Sequence, residues 1–332
     1  MAKKRGKRKP TYVVGVDLGG TKVLAAVVDG KGNVVSEAKR RTRAEQGPEA
    51  VIARVARTVR DAIQGADVPA RQVLAVGMVA PGPLDAETGV VYCAPNLPGW
   101  EDVPLAKTLS QALEVPVFLE NDVNAGTLGE HVYGAGQGTR DMVGIFVGTG
   151  VGGGIIADGK LRRGFRGNAG EVGHMIVQAD GPVCGCGNRG CLEALASRTA
   201  MERDIREALD SGRQSVMADL LKDGAPITSG MIAEAVRQED ELTLKVLAQA
   251  QRYLGLLTAS IVNFIDPEMV VFGGGVAEAL GKPFLKPIRA TARQYFVNQR
   301  DVGQVRIVLA KLGDYAGVLG AATIARQRLG SA

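Results

Sequence analysis

The segment Tyr12-Val13-Val14-Gly15-Val16-Asp17-Leu18-Gly19-Gly20-Thr21-Lys22-Val23-Leu24-Ala25-Ala26-Val27-Val28-Asp29-Gly30 holds two apolar runs around a tight glycine turn. Short runs rich in β-branched residues, broken by glycine, read as a β-hairpin. The same device returns 129 residues later. Val143-Gly144-Ile145 aligns with Val14-Gly15-Val16, Gly148-Thr149-Gly150 with Gly19-Gly20-Thr21, and Asp158-Gly159 with Asp29-Gly30, without a gap. Two hairpins in register indicate a duplicated domain.

Working outward, Pro48 to Ile63 has the periodicity of an amphipathic helix, with Val51, Ile52, Val55, Val59 and Ile63 on one face. Val73 to Val79 reads as a buried strand ending in Ala80-Pro81-Gly82-Pro83. Leu105 to Leu113 reads as a helix, and Val115 to Leu119 as a strand running into Glu120-Asn121-Asp122. Beyond the second hairpin, helices are expected over Leu192 to Leu209, Glu241 to Val262 and Tyr315 to Leu329. Strands are expected over Met269 to Phe272 and Val305 to Leu309. Alternation of this kind predicts a layered α/β fold.

Composition narrows the function classes. At 45% hydrophobic and 23% charged, the 332-residue chain has the balance of a soluble globular protein of two domains. No apolar run is long enough to span a bilayer and no signal peptide is evident, so a cytoplasmic protein without membrane partners is expected. The formal charge of +5 comes from the tail, where Lys3, Lys4, Arg5, Lys7, Arg8 and Lys9 fall within ten residues. Without them 34 basic residues face 35 acidic ones, so no sequence-specific nucleic-acid partner is expected. The tail itself is expected to be disordered and solvated.

The 45 glycines are expected mostly at turns. Consecutive backbone N–H groups at such turns form anion-binding concavities, so one turn from each half could clamp a polyphosphate. Gly148-Thr149-Gly150-Val151-Gly152-Gly153 matches a dinucleotide fingerprint, but Ile155-Ile156-Ala157 continues it as a strand where that site needs a helix. No Walker motif occurs. A third glycine run stands at Gly273-Gly274-Gly275.

Two further groups carry chemistry. Glu120-Asn121-Asp122 sits at the C-terminal end of a buried strand, where α/β sheets bind ligands, although one of the three could serve as a helix N-cap. His174, Cys184, Cys186 and Cys191 form the donor set of a closed tetrahedral zinc site, structural because no position is left open for water. Such a site would also fix Glu171 and Glu193, carboxylates suited to sugar hydroxyls. Cys93 stands alone.

Together, Asp17-Leu18-Gly19-Gly20-Thr21-Lys22, Glu120-Asn121-Asp122-Val123-Asn124-Ala125, Gly148-Thr149-Gly150-Val151-Gly152-Gly153-Gly154 and Glu171-Val172-Gly173-His174 resemble the ROK family of bacterial sugar kinases and sugar-sensing repressors. The signature Cys184-Gly185-Cys186-Gly187-Asn188-Arg189-Gly190-Cys191-Leu192-Glu193 completes the set. The resemblance implies an actin/hexokinase-like (ribonuclease H-like) fold with a cleft between two α/β domains. The N-terminal domain would span 11–121, joined by the helix at about 315–330, and the C-terminal domain 122–314.

The resemblance further implies that Asp122 is the catalytic base and that Asn121, Glu171, His174 and Glu193 contact the sugar, with His174 also on zinc. It implies that the turns Gly19-Gly20-Thr21-Lys22 and Gly148-Thr149-Gly150 meet the phosphates of ATP, that Asp17 holds magnesium, and that Gly273-Gly274 meets adenosine. About ten residues before the first strand are too few for the DNA-binding domain of the repressors. Pro81-Gly82-Pro83 and Asn96 resemble the glucose-phosphorylating branch; N-acetylmannosamine kinases tend to carry arginine where Pro83 stands. The remaining alternatives are another hexose, a polyphosphate donor and a sugar sensor without catalysis. A homodimer or homotetramer is implied.

Overall fold

The computed structural model describes residues 11–94, 96–221 and 226–330. The expectation for the basic tail, 1–10, lies outside these. Contacts divide the chain into two compact units, one running to Tyr133 and resuming at Asp314, the other covering Gly134–Gly313.

In the first unit, β1 (Tyr12–Leu18), β2 (Lys22–Val28), β3 (Val34–Arg41) and β4 (Val73–Ala80) precede a small sheet. That sheet is β5 (Leu84–Asp85), β6 (Val90–Cys93) and β7 (Glu101–Val103), after which β8 (Val117–Asn121) returns to the main one. The main sheet has the order β3-β2-β1-β4-β8, antiparallel through β2 and β3 and parallel across β1, β4 and β8. Helices α1 (Gly47–Gly65) and α2 (Leu105–Leu113) join one core with it, burying Val51, Val55, Val59 and Leu109 completely. Each such burial stabilises by about 1.5–3 kcal/mol.

Helix α3 (Asp122–Tyr133) and the terminal helix Tyr315–Gly330 also belong to this unit. The sequence reading divided the domains after Asn121; the contacts divide them after Tyr133. The cause is close packing of these two helices, since a Cβ on Gly129 would stand 2.2 Å from the Ala316 carbonyl oxygen. The sheet side is equally tight: a Cβ on Gly77 of β4 would lie 1.8 Å from the Ala321 oxygen. Part of the glycine excess therefore serves helix–sheet contact rather than turns.

The second unit repeats the first sheet. Strands β9 (Met142–Val147), β10 (Val151–Ala157), β11 (Lys160–Leu161), β12 (Met269–Gly273) and β13 (Arg306–Leu309) run in the order β11-β10-β9-β12-β13. Their senses match strand for strand. The duplication holds, but the gap-free alignment does not. Leu18 pairs Val23 whereas Val147 pairs Val151, so the second connection is one residue shorter. Leu192 to Leu209 is likewise not one helix. It breaks at Ser197, extended at φ −72°, ψ 162°, whose Oγ accepts from Ala200 N at 3.0 Å and starts the helix Arg198–Asp210. The long helix Glu241–Ile265 packs on this unit's core through Leu247, Leu254 and Leu257.

Candidate active site and metal cluster

Pairing of the parallel strands brings three chain segments to one edge of the first sheet. Asp17 stands beside Val79 and Asn121 beside Ala80, so the C-terminal ends of β1, β4 and β8 lie side by side. Asn121 caps α3: its Oδ1 accepts from Val123 N at 2.9 Å and Asn124 N at 3.1 Å. The cap among the three polar residues is therefore Asn121, which commits the oxygen of a side chain expected on the sugar. Glu120 turns inward, 2% exposed, and its Oε1 accepts from Asn124 Nδ2 at 3.2 Å. Asp122 points to the exposed side as the first residue of α3, with Oδ1 2.9 Å from Val123 N.

Asp17 responds to this neighbourhood. Its carboxyl is pushed up to about 6, by burial first and then by the charges of Asp122 and Asp314, while Lys22 works the other way. Lys22 Nζ donates to Asp314 Oδ2, which that pairing holds below the ordinary carboxylate range. Several carboxylates around one partly buried point suit a divalent cation that also binds phosphate oxygens.

The two glycine turns share a hydrogen-bonding pattern. In the first, Gly19 N donates to Lys22 O at 2.9 Å. Thr42 holds the other side, its N–H on Thr21 O at 2.8 Å and its Oγ1 on Gly19 O at 2.6 Å. In the second, Gly148 N donates to Gly150 O at 2.9 Å. Arg198 N takes Gly148 O at 2.9 Å and Thr199 Oγ1 takes Thr149 O at 2.8 Å. The N–H groups of Gly20 and Thr21, and of Thr149 and Gly150, have no hydrogen-bond partner among the described residues. Gly152, Gly153 and Gly154 are not part of the turn; they belong to β10 and pair with Phe146, Ile145 and Gly144 of β9.

The Cys3His set assembles as expected. The ligand atoms of His174, Cys184, Cys186 and Cys191 all lie within 4.8 Å of one another. Cys184 Sγ is 3.7 Å from His174 Nδ1, and Cys186 Sγ is 3.7 Å from Cys191 Sγ. Thiolates bound to one zinc at about 2.3 Å in a tetrahedron stand about 3.8 Å apart, so the set fits the ion. Burial pushes the Cys184 and Cys191 thiols up, whereas the Asn188 N–H pulls Cys186 down. The other ring nitrogen of His174, Nε2, lies 4.0 Å from Glu171 Oε2. Glu193 faces two ways, with Oε2 accepting from Val151 N at 2.9 Å and Oε1 3.7 Å from Cys184 Sγ.

The profile of the ROK family matches residues 13–328. The chain belongs to the ROK family. It is similar to the glucokinase of Thermotoga maritima, 37% identical over 96% of this chain and 98% of the relative. Among solved structures, the ROK hexokinase from Thermus thermophilus is 37% identical with a TM-score of 0.83, covering 97% of this chain and all of that one. The ROK family glucokinase from Streptomyces griseus, solved in complex with glucose and AMPPNP, is 38% identical with a TM-score of 0.81. That match covers 95% of this chain and 99% of that one. The mixed α/β fold built on two five-stranded sheets is that of these ROK kinases.

Gly82, Asn96, Gly273 and Gly274, the other positions singled out in the sequence, have these surroundings. Gly82 has φ 97°, and a Cβ there would stand 1.9 Å from the Cys93 carbonyl oxygen, so glycine is required by the loop itself. The strand end at Cys93 leads to Asn96, which abuts the first turn: a Cβ on Gly20 would lie 3.1 Å from Asn96 Cβ. Gly273 ends β12 beside Phe146, and Gly274 precedes the short helix Gly275–Leu280. Thr42, Arg198 and Asp314 were missed in the sequence. They are ordinary polar residues outside any motif, and nothing local shows that they clamp the turns.

Proposed function

We propose that this chain transfers the terminal phosphoryl group of ATP to the 6-hydroxyl of glucose. The observation that carries this reading is the pair of glycine turns, each pinned through carbonyls at its edges and each with two N–H groups left over. Such groups suit the non-bridging oxygens of a polyphosphate. In this reading Gly20, Thr21, Thr149 and Gly150 hold the donor phosphates and Gly273-Gly274 lies toward the adenosine. Asp17 holds magnesium, which would neutralise phosphate charge.

Asn96, Asn121, Glu171, His174 and Glu193 are assigned to the sugar hydroxyls, with Gly82 shaping the loop beside them. Asp122 takes the proton of the attacking hydroxyl as the oxygen–phosphorus bond forms. The bond from that phosphorus to the diphosphate oxygen breaks, and the electron pair leaves with ADP. The Cys3His set is assigned to structural zinc. It orients His174 through Nδ1, leaving Nε2 toward Glu171 and the sugar. ATP and glucose as substrates imply a cytoplasmic enzyme, and no described helix is long and apolar enough to cross a membrane.

The test is a panel of glucose, mannose and N-acetylmannosamine with ATP and magnesium. Glucose should give the highest kcat/KM. Absence of turnover with every sugar would overturn the kinase assignment, and a clear preference for N-acetylmannosamine would overturn the choice of sugar.

A further inference from the structure

The outer edge of the first sheet carries a groove that none of these assignments uses. It lies where the edge strand β3 meets α1, and Lys39, Arg40, Arg41, Arg43, Arg54 and Arg57 line about 670 Å³. Two alanines complete the lining, which holds no carboxylate. Arg40 is offset by Asp61. Arg54 is held by neutral acceptors, Thr42 O at 2.8 Å and Gln46 Oε1 at 2.7 Å, so its guanidinium is positioned with its charge intact. Arg41, Arg43 and Arg57 pair with no carboxylate among the described residues.

Arg43 also sits at φ 53°, in the left-handed region that a large side chain seldom adopts. A body with 34 basic and 35 acidic residues has carboxylates enough to intersperse. Clustered cations without them repel one another, and an anion of several charges relieves that repulsion.

We propose that this groove is a second phosphate site, separate from the donor site, for a small anion carrying two or more linked phosphates. Guanidinium forks match phosphate oxygens in pairs, and the volume suits a small molecule. The lining has no aromatic side chain on which a base could stack, which disfavours single-stranded nucleic acid. Thr42, between Arg41 and Arg43, bonds the first glycine turn through Thr21 O and Gly19 O, so the groove adjoins the back of that turn. Free inorganic triphosphate and the triphosphate of a nucleotide present the same chemistry. The proposal depends on neither the sugar nor the catalytic assignment.

The experiment is calorimetric titration of the full chain with inorganic tripolyphosphate, without added magnesium, at about 0.15 M salt. Two sites are expected in the wild type. In Arg43→Gln/Arg57→Gln one site should remain and the other should weaken by about tenfold or more. Turnover of ATP and glucose, and the melting temperature, should stay unchanged. Arg57→Glu alone, on the exposed face of α1, serves where the double variant does not fold. Repeating the titration with ATP separates the sources: whichever binds the variant-sensitive site more tightly is assigned to it. A single site in both proteins, or two sites that ignore the substitutions, overturns the proposal. So does a single-stranded oligonucleotide that displaces tripolyphosphate from the variant-sensitive site.

Discussion

Glu193 Oε2 accepts a hydrogen bond from Val151 N at 2.9 Å while its Oε1 stands 3.7 Å from Cys184 Sγ. One carboxylate thus joins the Cys3His cluster to the first residue of β10, at the base of the second glycine turn. A Cβ on Gly150 would lie 2.3 Å from the same Oε2, so the turn rests directly against this group. Order in the metal loop would therefore be passed to the proposed phosphate site as well as to the proposed sugar site.

Cys186→Ser tests that coupling. Removing one thiolate from a closed four-ligand set should lower zinc from about one per chain to well below it. The KM for glucose should rise by about tenfold as Glu171, His174 and Glu193 lose their fixed positions, and the KM for ATP should rise less. Metal analysis beside steady-state kinetics gives the answer. Full zinc content with an unchanged glucose KM would show the loop to be independent of the cluster.

Gly77→Ala probes the seat of the terminal helix. The added methyl group would stand 1.8 Å from the Ala321 carbonyl oxygen, and backbone cannot yield as a flexible side chain can. Either β4 or the helix must move, at a cost of about 3 kcal/mol or more. Urea unfolding should show the loss as a lower midpoint. A variant with wild-type stability would mean that the helix is not seated this closely.

Asp17→Asn should make the protein more stable at neutral pH. The folded-state carboxyl, near 6, lies above its ordinary value near 4. Between these values the folded chain binds the extra proton, so the stability that protonation supplies is full below about 4 and lost as pH rises through 6. Asparagine removes the buried charge and should gain on the order of 2 kcal/mol at pH 7–8, with the gain vanishing below about pH 4. Urea midpoints in metal-free buffer across that range measure it. Equal stability at pH 7.5 would remove the electrostatic strain assigned to Asp17.

The parts of this molecule legible in the sequence are those with a local signature. Both hairpins, the strand into Asn121 and the Cys3His spacing were visible because neighbours in sequence are neighbours in space. Strand β3 was not visible: Val34–Arg41 is an edge strand, largely exposed and rich in charge, so it lacks the apolar run that marks its partners. The break at Ser197 was hidden because apolar residues continue on both sides of it. Gly77 and Gly129 carry no local mark of their role, and only the long-range approach of the terminal helix explains them. Lys22 and Asp314 are separated by 292 residues, and no periodicity links them.

Asp122→Asn addresses the chemical step. The hydroxyl of a sugar is a weak nucleophile, and its proton must leave as the bond to phosphorus forms. The transition state is loose, so the proton can move late and an ordinary carboxylate serves as acceptor. Asparagine keeps the shape and can still accept from Val123 N, as Asp122 Oδ1 does at 2.9 Å. The start of α3 should also survive, because its cap is Asn121 Oδ1 rather than Asp122. Stability should therefore change little, and less repulsion at Asp17 favours the variant slightly. What disappears is basicity, and kcat should fall by about 10²–10⁴-fold, about 3–5 kcal/mol of barrier. Glucose affinity, measured by direct titration of the same preparation, should change far less, since the other assigned sugar contacts remain. Near-normal kcat would remove Asp122 from the chemistry, whereas equal losses of rate and glucose binding would make it a group that positions the sugar.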